Sequence, residues 1–174
     1  MKKPLSSEYP SVRYFANYIE KVEDEDVIAA LTHQMNTVEN LYKHLTEDQQ
    51  HYRYAEGKWT PKQLLGHMTD AERIFAFRAL SIARGEKQSL PGFDENEYVG
   101  NADFNQQSIE SLLEQYRTVR QSTLALARSL TEEQQTRIGT ANGNPISARA
   151  LFSIIAGHEK HHLEILRDKY RMSE

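Results

Sequence analysis

The chain has 174 residues, 39% hydrophobic and 26% charged, with a formal net charge of −4 at pH 7 and no cysteine. That length suffices for one domain with a substantial core. The composition excludes disulfides and thiolate metal sites, and the lack of a basic stripe argues against nucleic acid as the main partner. No stretch approaches the roughly 18 apolar residues of a membrane span, and "MKKPLSSEYPSVRYF" has no apolar run after its lysines. No membrane partner and a cytoplasmic location are therefore expected.

Four segments repeat apolar residues at helical spacing. The first is predicted from about Asp26 to Leu45, with a stripe through Val27, Leu31, Val38 and Leu41. The acidic run 23–26 suits its N-terminus, where carboxylates meet unpaired N–H groups. The second starts at Thr60, an N-cap, with Pro61 in the first turn and Gln63 completing a capping box. Gly85 is its expected stop. The third runs from about Asn105 to Leu130, and the fourth from Ser147 to about Tyr170. No segment reads as a strand.

"LTEDQQ" (45–50) follows the first helix and "LTEEQQ" (130–135) the third, and each leads to a helix holding Gly-His, at 66–67 and 157–158. This reads as an internal two-helix repeat, although Leu-Thr-Glu-Glu also serves as an ordinary helix cap. The connection 86–104 is too long for a tight antiparallel turn. It can run the length of a helix, so helices two and three are expected to be parallel. The predicted fold is all-α: a single domain over residues 1–174, a four-helix bundle ordered up-down-down-up.

"IIAGHEKHHLEIL" (154–166) carries three of the seven histidines. On a wheel of about 100° per residue, His158 and His162 fall in the middle of the apolar stripe, and His161 lies about 80° aside. His67 faces the bundle from the edge of the helix-two stripe. At about 1.5 Å per residue, His67 is about 10 Å from the start of its helix, and His162 and His158 are about 12–18 Å from the end of theirs. These levels coincide if the two helices are antiparallel. Hydrogen-bonded core histidines and metal ligands are both open readings. An unpaired buried ring costs about 1–3 kcal/mol, whereas a metal ion accepts several lone pairs at once.

"GKWTPKQLLGHMTDAERIFAFRALSIARGE", "LPGFDENEYV" and "IAGHEKHHLEIL" together resemble the DinB/YfiT-like superfamily of metal-binding four-helix bundles, from about residue 10 to 170. Carried over by position, the resemblance implies a metal triad of His67, His158 and His162. It also implies a homodimer, for which Tyr42 and Leu113, beside the main stripes, would supply apolar contacts. Better-understood relatives include thiol-S-transferases and isomerases that use bacillithiol, mycothiol or glutathione.

Three neutral imidazoles leave coordination positions open, the catalytic arrangement. A divalent ion there, zinc or nickel ahead of iron or manganese, would acidify water or a thiol. The expected function is a metal-dependent enzyme that activates a low-molecular-weight thiol or water for attack on a small electrophilic substrate, hence a transferase or a hydrolase. With no cysteine in the chain, a thiol nucleophile must come from a co-substrate. The alternative is a non-catalytic metal- or small-molecule-binding stress-response module.

Around this site, Arg78 is a candidate for a substrate carboxylate, with a buried ion pair or a snorkelling side chain as the favoured reading. Asp70, Glu72 and Glu159 are candidates for orienting the imidazoles but are expected on solvated faces. His161 is expected to be exposed. Trp59 and Tyr98 are candidates for the site mouth, and the segment 86–104 for its rim. His33, His44 and His51 are given no role, and no catalytic residue or general base is assigned.

Overall fold

A computed structural model of the chain describes residues 1–11, 13–23 and 26–172. In chain order the helices are α1 (Arg13–Lys21), α2 (Val27–Tyr42), α3 (Glu47–His51), α4 (Pro61–Ala83), α5 (Glu95–Asn101), α6 (Ile109–Ser129) and α7 (Glu132–Thr136). A hairpin of β1 (Ile138–Ala141) and β2 (Asn144–Ser147) then leads into α8 (Ala148–Tyr170).

The four long helices form the bundle: α4 packs on α6 and α8, and α2 on the same two. Thr60 and Lys62, at the start of α4, bond Asn105 just before α6 at 2.7 and 3.0 Å. Those two helices therefore run parallel. The Tyr170 hydroxyl, at the end of α8, donates to the Trp59 carbonyl before α4, so that pair is antiparallel. Tyr42, ending α2, donates to the Pro61 carbonyl at 3.1 Å. The result is the expected up-down-down-up four-helix bundle, an all-α fold with a minor two-stranded sheet.

Local chemistry sets the helix ends. Asp26 caps α2, accepting from the Ile28 and Ala29 amides; Asp24 and Glu25 of the acidic run lie outside the described residues. Thr60 and Gln63 close a capping box over α4, with Pro61 in its first turn. Thr46 with Gln49 and Thr131 with Gln134 form the same box at α3 and α7. In both, the next glutamine reaches back to the preceding leucine carbonyl: Gln50 to Leu45 at 3.1 Å and Gln135 to Leu130 at 2.9 Å. The two copies of the sequence repeat thus fold alike.

Three features depart from the sequence reading. The hairpin was not expected: Asn142 and Gly143 hold φ at 49° and 73°, the conformation of a two-residue turn that Asn-Gly favours. Helix α1 was not assigned; it lies across α8 at Gly157, where a Cβ would come within 1.7 Å of the Tyr18 carbonyl oxygen. The long connection holds α5 and an extended stretch in which Leu90 bonds Thr140 and Asn142 of the hairpin at 2.9 Å each.

Tyr42 and Leu113 belong to the interior and supply no outer dimer face, because both are buried in the bundle. The apolar core forms two clusters. One holds Leu31, Phe75, Leu124 and Ile155, the other Val38, Met68, Tyr116 and Leu163. Along α4, α6 and α8, a polar layer of Glu72, Arg120 and Glu159 separates them.

Candidate metal centre

The antiparallel packing of α4 and α8 brings His67, His158 and His162 together, and all three rings are buried. His158 Nε2 lies 3.1 Å from His67 Nε2 and 3.0 Å from His162 Nε2. A single nitrogen lone pair or N–H cannot make good hydrogen bonds to two rings at once. Nitrogens bound at about 2.1 Å to one ion stand roughly 3.0–3.4 Å apart, so the cluster fits three ligands converging on a divalent metal. Neutral imidazoles without thiolates suit zinc, nickel, copper or iron(II).

Neighbouring rings fix the imidazoles. The Trp59 ring centroid is 4.7 Å from that of His67. Tyr18 and Phe75 meet His158 edge-on at 5.4 and 6.0 Å. Burial lowers the His67 pKa to about 4, and it pushes His158 and His162 well below the ordinary histidine value, helped by their neighbours. The rings are therefore neutral at pH 7, the state a metal ligand requires. His162 Nδ1 is buried without a hydrogen-bond partner among the described residues.

Two clefts lie nearby, and one of them is lined by a histidine of the cluster. One of about 210 Å³ opens onto His162 and is walled by Trp59, Tyr54, Tyr170 and Ile165. The other, of about 240 Å³, is lined by Phe75, Arg78, Phe93, Glu95 and Leu151. Asn96 borders both. The 86–104 connection thus forms the common wall.

Glu95 was missed by the sequence reading. Its Oε2 is 3.5 Å from His67 Nε2, the nitrogen aimed into the cluster. Burial, then Asp94, raises its pKa above the ordinary carboxylate value. It stands outside the group whose ligand atoms all lie within 4.8 Å of one another. The acidic helix start "DENE" is visible in the sequence, but nothing local in it points to His67.

The remaining candidates separate clearly. Glu72 and Glu159, expected on solvated faces, are each 2% exposed and pair with Arg120 rather than with an imidazole. Asp70 pairs with Arg73 at 2.7 Å, away from the cluster. His161, expected to be exposed, is half-buried and meets Tyr18 and His162 edge-on or tilted. Arg78 is buried, lies near the Phe75 and Phe93 rings and donates to the Pro91 carbonyl. Trp59 reaches the site, whereas Tyr98 is exposed and packs on Phe93. His33, His44 and His51 are exposed.

The family model described as the DinB superfamily matches residues 16–166. The chain belongs to the DinB superfamily. A relative, "Putative metal-dependent hydrolase OB0413" of Oceanobacillus iheyensis, is 27% identical over 149 residues, covering 83% of this chain and 85% of that protein. The solved structure of YfiT from Bacillus subtilis is described as a probable metal-dependent hydrolase with an unusual four-helix bundle topology. It aligns with a TM-score of 0.68 at 20% identity over 95% of this chain and 91% of that one. The DinB-like protein YjoA of Bacillus subtilis aligns with a TM-score of 0.59 at 21% identity, over 83% and 90%. The two structures share the fold. Among the described residues no helix is long and apolar enough to cross a membrane.

Proposed function

We propose that this chain is a metal-dependent hydrolase in which His67, His158 and His162 hold one divalent ion, zinc or nickel first among the candidates. The observation that carries the reading is the convergence of three buried Nε2 atoms beside an open cleft at His162. The hydrolase names of the relatives agree with it. When bound, the ion would supply Lewis acidity, polarising an electrophile and lowering the pKa of water or a thiol toward neutrality.

The chain's own groups have separable tasks. The three imidazoles donate lone pairs, and Trp59, Tyr18 and Phe75 hold them in place. Glu95 is placed to accept the proton that the attacking water must lose, since its Oε2 lies 3.5 Å from His67 Nε2. A raised carboxyl pKa brings its basicity closer to that task. The small electrophile and the nucleophile reach the centre through the cleft at His162.

Thiol transfer is the second reading, and the presence of two clefts favours it, because a co-substrate needs a place of its own. A non-catalytic binding module is the third; the open cleft at His162 weighs against it.

Metal analysis of full-length protein tests the shared premise. Wild type should hold one ion per chain and His158→Ala almost none; equal stoichiometric metal in both overturns the triad. Zinc- and nickel-loaded protein is then assayed on ester, amide and alkylating substrates, with and without added low-molecular-weight thiol. Turnover in water alone supports hydrolysis. Strictly thiol-dependent turnover replaces it with transfer, and none on any substrate favours the binding module.

A further inference from the structure

The cleft at His162 changes character along its depth. Its inner end is buried, at His162 and Tyr170, and its mouth is exposed, at Lys58 and Asn96. Two aromatic walls stand between. Trp59 is one, its ring 4.7 Å from that of His67, which is itself 5.0 Å from the His162 ring. Tyr54 and Tyr170 form the other, meeting edge-on at 5.0 Å. Among the described residues Trp59 makes no ring contact with either tyrosine, so the space between the walls is open to a further ring. At about 210 Å³ the cleft has room for one, since an apolar cavity of about 150 Å³ already holds benzene. Burial holds the Tyr170 pKa up at about 12, and its hydroxyl donates to the Trp59 carbonyl, so this wall presents a neutral ring.

Charge then selects which ring. Among the residues that line the cleft, Lys58 carries the only formal charge; neither Glu56 nor Glu95 lines it, and Glu95 borders the other cleft. Arg53 donates to the Lys58 carbonyl and acts electrostatically on Tyr170, which puts a second cation close by. The mouth is therefore positive on a chain of net charge −4. Aromatic walls alone would also welcome a cation, and Lys58 opposes that. The Asn96 side-chain amide can donate to the same anionic group as Lys58.

We propose that the cleft at His162 binds a small aromatic anion, with its ring between Trp59 and the Tyr54–Tyr170 pair and its negative group toward Lys58. The inference rests on the enzyme reading above only in calling such a molecule a substrate: an ester or amide on a ring whose far end is acidic. Recognition of the ring and its charge needs no metal.

Trp59 is the only tryptophan of the chain, so its fluorescence reports whether this cleft is filled. Metal-free, full-length protein is titrated at neutral pH with benzenesulfonate, cyclohexanesulfonate and benzyltrimethylammonium, and calorimetry supplies the affinities. Benzenesulfonate should change the Trp59 signal saturably. It should bind about threefold or more tighter than cyclohexanesulfonate, the size of a stacking contribution, and about fivefold or more tighter than the cation. Lys58→Gln should cut the anion-over-cation ratio, and Tyr54→Ala the aromatic-over-alicyclic ratio. Lys58 is exposed and Tyr54 only half-buried, so both variants should melt close to wild type. An unsaturable signal, equal binding of the two sulfonates, or equal binding of anion and cation overturns the proposal. So does either ratio left unchanged in its variant. Zinc content and ester turnover, measured on the same wild-type preparation after loading, keep this inference apart from the hydrolase reading. If only that reading fails, zinc or turnover is missing and both binding preferences stay. If only this inference fails, zinc and turnover stay and the preferences are missing.

Discussion

Arg120 Nη2 lies 2.8 Å from Glu159 Oε2 and 2.8 Å from Glu72 Oε2, in a part of the bundle closed to water. The same guanidinium donates to the Leu31 carbonyl at 2.8 Å, and the Tyr116 hydroxyl donates to Glu159 at 2.8 Å. One cation thereby ties α2, α4 and α8 to α6. Glu159 directly follows His158, so this layer also fixes the axial level of a ring in the histidine cluster.

Arg120→Met should destabilise the protein by about 3–5 kcal/mol, since two buried carboxylates lose their only cation among the described residues. Burial already raises the Glu159 pKa despite Arg120, and Glu72 raises it further. Adding Glu72→Gln and Glu159→Gln should restore more than half of the loss, because neutral amides avoid the buried charge. Urea titration of the three proteins measures both steps. A loss under about 1 kcal/mol for Arg120→Met would show that the layer is solvated in solution.

Gly157→Ala should cost about 1–3 kcal/mol, because its Cβ would overlap the Tyr18 carbonyl and force α1 off α8. Tyr18 meets His158 and His161 edge-on, so the displacement should also loosen the cluster. Limited proteolysis should cut near α1 sooner than in wild type. Unchanged melting and cleavage would mean that α1 does not dock in this way.

The bundle was legible in the sequence wherever a local signal was strong. Thr60, Pro61 and Gln63 marked the start of α4, and Ser147 that of α8, each to within a residue. His158 and His162 could be placed facing inward from their spacing alone, and His67 from its edge position. What escaped depends on contacts distant in sequence. Glu72 and Glu159 look like surface residues until Arg120, 48 and 39 positions away, is placed between them. Glu95 acquires its meaning only when α5 folds back over α4. The hairpin was missed despite the Asn-Gly at its turn, because each strand has just four residues, too few for an alternating pattern to show.

Acid should destabilise the metal-free chain. The buried histidines titrate lower in the folded chain than the ordinary value of 6.5, His67 at about 4. Below 6.5 the unfolded state therefore binds more protons, and stability falls with pH. Their contribution is complete above about pH 6.5 and is lost as the pH drops toward 4, where His67 alone accounts for about 3 kcal/mol. Urea midpoints at pH 8, 6 and 5 measure the slope, and His67→Gln should flatten it. A pH-independent midpoint over this range would place the rings in water.

Glu95 separates water activation from a purely structural carboxylate. Glu95→Gln keeps the size and hydrogen bonding of the side chain but cannot take a proton. Because Glu95 stands outside the three-histidine group, zinc content should stay at one per chain. If the carboxylate accepts the proton of attacking water, kcat for hydrolysis should fall by about 10²–10⁴ while KM changes little. A thiol nucleophile, more acidic than water, should depend on Glu95 far less, so thiol-dependent turnover would be nearly retained. Zinc lost from Glu95→Gln would instead make the carboxylate a ligand that closes the site. Unchanged kcat with bound zinc would remove Glu95 from the proton path and leave its approach to His67 a matter of packing.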